Sequence, residues 1–320
     1  MYNISHKYKT SLFFLIKLVI VLGAFYFIFE KLVNNQLLSF SELQQQLSIL
    51  FSKNIWIILL LLLFTDVNWL LEVYKWKVLV SIKKKITFFE AFQQSLASLT
   101  VSIITPNRIG EYGAKALYFK KNLRKKIVLL NFIGNISQLV VTVFFGVFGV
   151  LFLLSKYNLK IPSFNIEKLL VILIFISVLY LSRKKLRFTK IAGIYFNKVV
   201  SFLKKTPKSI YIKILGLALV RYLVFSHQFY FLLRIFEVET NYLIVINLIF
   251  CVYLIASIIP SLAVFDWAIK GSIAVFIFSF IELNELTIIT ITSIMWLLNF
   301  AIPALIGSIF VMKFKLIDNE

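Results

Sequence analysis

The sequence predicts an all-α polytopic membrane protein: an inverted repeat of helix, broken (re-entrant) hairpin and helix, with about six full spans plus two hairpins. Three observations predict it. Sixty per cent of the 320 residues are hydrophobic, 34 of them phenylalanine, and mean hydropathy is +0.91. That is more apolar surface than a soluble domain can bury, so a bilayer must be the solvent for most of it. Second, a formal charge of +21 gathers beside the apolar runs, as in loops and helix ends that meet anionic head groups. This placement argues against a soluble nucleic-acid-binding domain. Third, a pattern of proline, short turn, acid, aromatic, two residues and lysine occurs twice, in "PNRIGEYGAK" from Pro106 and "PSLAVFDWAIK" from Pro260.

Taken in chain order, the first apolar run, 11–29, follows Lys7 and Lys9 and has no small-residue cleavage pattern. It reads as a retained first helix rather than a signal peptide. Further spans are expected at 55–73, 127–155, 168–182, 209–235 and 286–312. The segments 88–122 and 241–283 are each two apolar stretches broken by a proline. Basic stretches at 74–85, 120–126 and 182–208 are assigned to the cytoplasm, together with both termini. The lysine-poor loop 30–53 and the stretches 156–168 and 236–241 are assigned outside. On this reading the two hairpins open to opposite sides. Residues 92–105 are rich in Gln, Ser and Thr, and non-helical backbone at membrane depth is tolerated only beside protein or a wet cavity. Re-entrant hairpins are therefore expected. A single membrane domain, 1–320, would hold a first repeat over 53–155 and a second, inverted one over 209–312.

One common shift superimposes Glu111 on Asp266 and Lys115 on Lys270, and brings Asp66 onto Arg221. Glu111 and Lys115 are four residues apart and share a helix face, as do Asp266 and Lys270. Each pair can be an ordinary intrahelical ion pair at the membrane surface, or can present acid and base to a lipid head group in a hydrated cavity. The turn carrying Asn107, Arg108 and Gly110 precedes a helix whose N-terminal N–H groups, with the Arg108 fork, suit a phosphate. Gly110 and Gly113 leave room for close approach. Arg221 is expected to supply the cation that the second turn lacks. Asp66 is expected to face Arg221, Lys270 or a water-filled crevice. Trp56, Trp69 and Trp76 read as interface anchors, His227 and Gln228 as polar contacts between helices, and Cys251 as a buried core residue. No metal-ligand spacing, Gly-rich phosphate loop or nucleophile elbow occurs, so no cofactor, no metal and no enzymatic activity are expected.

These residues resemble a known family. "TPNRIGEYGAKALYF", "PSLAVFDWAIKGSIAVF" and "RYLVFSHQFYFLL" are similar to the flippase-like transmembrane family named for the membrane region of lysylphosphatidylglycerol synthase. The resemblance spans about residues 10–312, and its most specific part is Pro106, Gly110 and Glu111; many members have a second Gly where this chain has Asn107 or Arg108. It implies a lipid translocase in a bacterial cytoplasmic (inner) membrane, with membrane lipids as ligands and a separate lipid-modifying enzyme as a possible partner. It implies flipping without synthesis, since no aminoacyltransferase domain is expected after the last span. Two other classes stay open: a membrane transferase using a lipid carrier, with Glu111 or Asp266 as general base, and a non-transporting partner of a lipid-modifying enzyme.

Overall fold

The computed structural model describes residues 55–157 apart from 104, 106 and 107, residues 194–259 and 266–315, and isolated positions elsewhere, 15–19 and 190–191 among them; of residues 190–191, 194–199 and 266 it describes the backbone alone. The expected span at 168–182 and most of 11–29 lie outside the described residues, as do 182–189, 192 and 193 of the basic stretch 182–208. The elements are α1 (Ile55–Ser81), α2 (Phe88–Ser102), α3 (Ile109–Leu117), α4 (Lys121–Lys156), α5 (Phe196–Lys205), α6 (Lys208–Ile235), α7 (Tyr242–Ile258), α8 (Asp266–Phe278), α9 (Glu285–Trp296) and α10 (Ile302–Lys313). Apart from the two-residue antiparallel pairing of Lys190–Ile191 with Ile194–Tyr195, every regular element among the described residues is helical. Among the described residues, four stretches are long and apolar enough to cross a membrane: α1, α4, α6 and the continuous run Glu285–Lys313. This is a multi-pass membrane protein.

Local chemistry sets the helix starts. Thr87 and Glu90 form a capping box: Thr87 Oγ1 accepts from the Glu90 N–H at 3.1 Å, and the Thr87 N–H donates to the Glu90 carboxylate at 2.6 Å, so α2 begins where a Thr-x-x-Glu signature says it should. Asn241 and Asn284 cap α7 and α9, each side-chain oxygen accepting a backbone N–H at 2.8 Å. α2 gives way to α3 and α7 to α8 across stretches that hold Pro106 and Pro260, themselves outside the described residues; Ile259, just before the second proline, is extended, as a residue preceding proline favours.

The helices pack reciprocally. The closing helix α4 lies along α7, α10 lies along α2, and α1 packs on α6. Small residues let these backbones approach. A Cβ added at Gly149 would lie 2.5 Å from the Asn247 carbonyl, and one at Gly307 would collide with the Leu96 carbonyl. Thr100 donates across the second crossing to the Ala304 carbonyl at 2.6 Å. In lipid, where burial from water does not pull helices together, such close packing and hydrogen bonding hold them. The polar run expected beside protein or a wet cavity meets both: Thr100 is in this seam, Ser95 lines a cavity, and the buried Ser98 and Ser102 donate to carbonyls of their own helix. Gly307→Leu is expected to lower the thermal midpoint of the detergent-purified protein, by about 1–3 kcal/mol of stability or more. Gly113→Ala, at a position with nothing within 4 Å, should leave the midpoint unchanged or slightly raised.

The run Glu285–Lys313 is the most enclosed of the four spans, half of its apolar window being buried. It carries one π-helical turn, Leu297–Ala301. Pro303 has no N–H to give to the Asn299 carbonyl, four residues before it, and the Trp69 indole donates to that carbonyl at 3.2 Å instead. The Asn299 side chain accepts from Asn68 and donates to Gln228, both at 2.8 Å, tying α1 and α6 to the turn. Gln228 also donates to the Leu61 carbonyl and to Thr65 Oγ1, so it is the interhelical contact expected. Cys251 is fully buried between α7 and α4, also as expected.

Lysines gather at one end of the molecule. Lys83 lies over the Phe202 ring at 5.0 Å and Lys84 over the Phe119 ring at 5.9 Å, which places the end of α1, the α3–α4 junction and α5 together. The first of these is shorter than expected as a loop. Residues 74–81 are helix, not cytoplasmic connection, because α1 runs to Ser81 before the Lys83–Lys85 run begins.

Candidate functional site

The longer α1 has a consequence for the interior. Asn68, Glu72 and Lys75 stand at i, i+4 and i+7, one stripe of a helix, and all three line a cavity of about 620 Å³. Its wall is completed by Arg108, Glu111, Tyr112 and Lys115 of the first hairpin, Lys270 and Trp267 of the second, Asn135 and Gln138 of α4, and Arg221 of α6. Aromatic side chains line the rest, including Trp69, Phe225, Tyr253 and Trp296.

Two ion-pair groups organise the charges. Glu72 Oε2 lies 2.7 Å from Lys75 Nζ and 2.9 Å from an Arg221 nitrogen, and Arg221 also reaches Gln138 Oε1 at 3.3 Å. Glu111 Oε1 lies 2.7 Å from Lys115 Nζ. That ammonium also donates to Asn131 Oδ1 at 2.8 Å and sits 4.5 Å from the centre of the Trp76 ring. The Trp76 indole in turn donates to Gln94 Oε1 at 2.9 Å. A lysine only 2% exposed is sustained here by a carboxylate, an amide oxygen and an aromatic face, the partners a buried ammonium needs. The Glu111–Lys115 pair is thus not the exposed surface pair that spacing alone also allowed. The aromatic of each motif anchors its hairpin to the helix that follows: Asn135 donates to the Tyr112 hydroxyl at 2.9 Å, and the Trp267 indole donates to Ser293 Oγ at 3.1 Å.

The expected site residues fall into three groups. Arg108, Glu111, Lys115, Lys270 and Arg221 line the one cavity. Asn107 lies outside the described residues, as does the side chain of Asp266, which is the first residue of α8. Asp66 and Gly110 need correction. Asp66 is exposed and outside the cavity lining, because it stands on the face of α1 away from the Asn68–Glu72–Lys75 stripe; Glu72 is the acid that meets Arg221. Gly110 makes its close approach to Thr105 and the Val101 carbonyl, and its N–H donates to Thr105 Oγ1 at 2.9 Å. It gives room for the bend between α2 and α3, not for a head group. A Cβ added at Gly113 would meet nothing within 4 Å.

Arg221 is engaged by Glu72; the second turn it was expected to serve lies outside the described residues. Arg108 adopts a left-handed backbone, φ 57°, unusual for a residue with a Cβ. It turns its guanidinium towards Glu111, 3.7 Å away, while its side chain stays 47% exposed. Trp69 and Trp76 are not interface anchors: Trp76 is buried beneath Lys115 and Trp69 lines the cavity. Trp56 alone of the three is exposed.

Lys75 escaped the sequence reading because it was counted with the basic end. The signal was present in the four- and three-residue spacing from Asn68 through Glu72, which continues past the charge-based boundary. No curated protein and no solved structure matches the chain. The family model described as the lysylphosphatidylglycerol synthase TM region matches residues 14–307, nearly the whole chain. With its apolar spans and paired hairpins in view, the chain belongs to the lysylphosphatidylglycerol synthase transmembrane-region family.

Proposed function

We propose that the protein moves a phosphate-bearing lipid between the leaflets of a bacterial cytoplasmic membrane, the head group passing through the charged cavity while the acyl chains stay in lipid. The observation that carries this reading is the cavity's charge: five basic side chains, Lys75, Arg108, Lys115, Arg221 and Lys270, against two carboxylates, Glu72 and Glu111, among the described lining residues. Ionisable groups at membrane depth are costly and mark substrate pathways. The reciprocal packing of α4 on α7 and α10 on α2 supports two halves in inverted orientation, with re-entrant hairpins meeting at a midplane site.

Arg108 and Lys270 come from different hairpins yet border the same space, as a site shared by both halves requires. Reconstitution into liposomes with fluorescent phospholipids tests the proposal. Protein-containing vesicles are expected to expose inner-leaflet lipid to a membrane-impermeant quencher faster than empty vesicles. Equal rates across a broad lipid panel would overturn it.

A further inference from the structure

The charge arrangement carries the reading one step further, to the class of head group. We infer that the cavity selects a lipid whose head group is net negative, and excludes one whose phosphate is offset or outweighed by an amine. This rests on the translocation reading for its biological use, but not for the binding it describes. Both described carboxylates are already bracketed by cations. Glu72 lies between Lys75 and Arg221, and Glu111 between Lys115 at 2.7 Å and Arg108 at 3.7 Å. Neither leaves an open acid for a ligand ammonium. Were Asp266 to add a third carboxylate, five cations would still face three acids.

Arg108 is less committed than the acids. Arg108 holds its carboxylate only at 3.7 Å and presents a half-exposed guanidinium to the cavity, a planar fork that binds phosphate through two parallel N–H donors. The buried Nε of Arg221 and the buried hydroxyl of Tyr253 make no hydrogen bond among the described residues, and both side chains line the same space. Buried polar atoms without partners are uncommon and costly; two donors in an electropositive pocket suit an anion's oxygens. An ammonium head group would instead sit among five like charges whose two described carboxylates are already engaged, and like-charge juxtaposition is a strong means of rejecting a wrong partner.

The test is binding to the full chain in detergent, followed by intrinsic tryptophan fluorescence, since Trp69, Trp267 and Trp296 line the cavity. Phosphatidylglycerol (anionic), phosphatidylethanolamine (zwitterionic) and lysyl-phosphatidylglycerol (cationic) are titrated separately, with acyl chains matched. Phosphatidylglycerol is expected to bind at least about tenfold more tightly than the lysyl lipid, with the zwitterion between. Arg108→Glu should bring that preference to within about threefold; because it also sets a second carboxylate beside buried Glu111, Arg108→Gln is its companion, expected to shift the preference the same way, by less, with little change in thermal midpoint. Equal or tighter binding of the lysyl lipid by the wild type would overturn the inference, as would an unchanged preference in Arg108→Glu. Selective binding without transport would sink the translocation proposal alone; transport of all three lipids at one rate with no binding preference would sink this inference alone.

Discussion

Glu72→Gln is expected to destabilise the protein by about 3–5 kcal/mol, because it strips the shared counter-charge from two cations at once. Lys75 has a side chain 3% exposed and depends on Glu72 at 2.7 Å; Arg221 lies 2.9 Å from the same oxygen. Glutamine keeps the size and a hydrogen-bond acceptor but leaves a buried ammonium unneutralised. The more accessible Arg221 retains Gln138 as a partner, so most of the loss falls on Lys75. Adding Lys75→Met removes the stranded charge, and the double variant should be more stable than Glu72→Gln alone, with a coupling energy of about 1–3 kcal/mol. Thermal unfolding in one detergent, followed by helical circular dichroism, measures all three proteins. An unchanged midpoint in Glu72→Gln would mean that water reaches Lys75 and that the pair is not a buried one.

Lys115→Met carries the second large effect, on stability and on lipid movement together. The lysine neutralises Glu111, donates to Asn131 and lies on Trp76. Its loss leaves a buried carboxylate facing only Arg108 at 3.7 Å, again costing about 3–5 kcal/mol. Arg108 is then expected to close onto Glu111 and to be drawn away from the ligand, so lipid transport should fall at least about tenfold. The double variant Glu111→Gln with Lys115→Met separates the two effects: its stability should recover much of the loss. Its transport should recover in part, since Arg108 is released while the Lys115 charge is still missing. Liposome transport at matched protein content and detergent melting supply the two readouts. Full transport by Lys115→Met would place the moving head group away from this pair.

Much of the architecture was legible because lipid imposes strict rules on sequence. Long apolar runs placed α1, α4 and α6, α6 within a residue of its observed bounds and the other two short by about two turns at one end, and the prolines at 106 and 260 fall between the helices of each hairpin. The repeated acid–aromatic–x–x–lysine pattern picked out Glu111, Lys115 and Lys270, which the fold brings to one cavity.

What the sequence hid was of two kinds. Charge alone cannot distinguish a lysine at a helix end from one a turn and a half further in, so Lys75 was grouped with Lys83, Lys84 and Lys85; only its helical register with Glu72 separates them. Charge in a span also does not say which way it points, so Asp66 was favoured over Glu72 although their faces differ. For the Ser- and Thr-rich α2 the sequence left protein contact and a wet cavity both open; Thr100 takes the first against α10 and Ser95 the second, because small hydroxyls that bond backbone carbonyls suit a close helix crossing as well as they suit water. Tertiary contacts decide between these uses, and no local pattern encodes them.

Photo-crosslinking in proteoliposomes tests the central claim most directly. Phosphatidylglycerol carrying a photoreactive group on its head group is reconstituted with the wild-type chain, irradiated, and the labelled residues are mapped by mass spectrometry. Label is expected on α3 and α8 around Arg108 to Lys115 and Trp267 to Lys270, and on cavity-lining residues of α9 such as Thr292 and Met295. Label confined to outward faces, such as Phe144 and Phe148 of α4, or to the lysines at the basic end, would contradict a head-group path through the cavity.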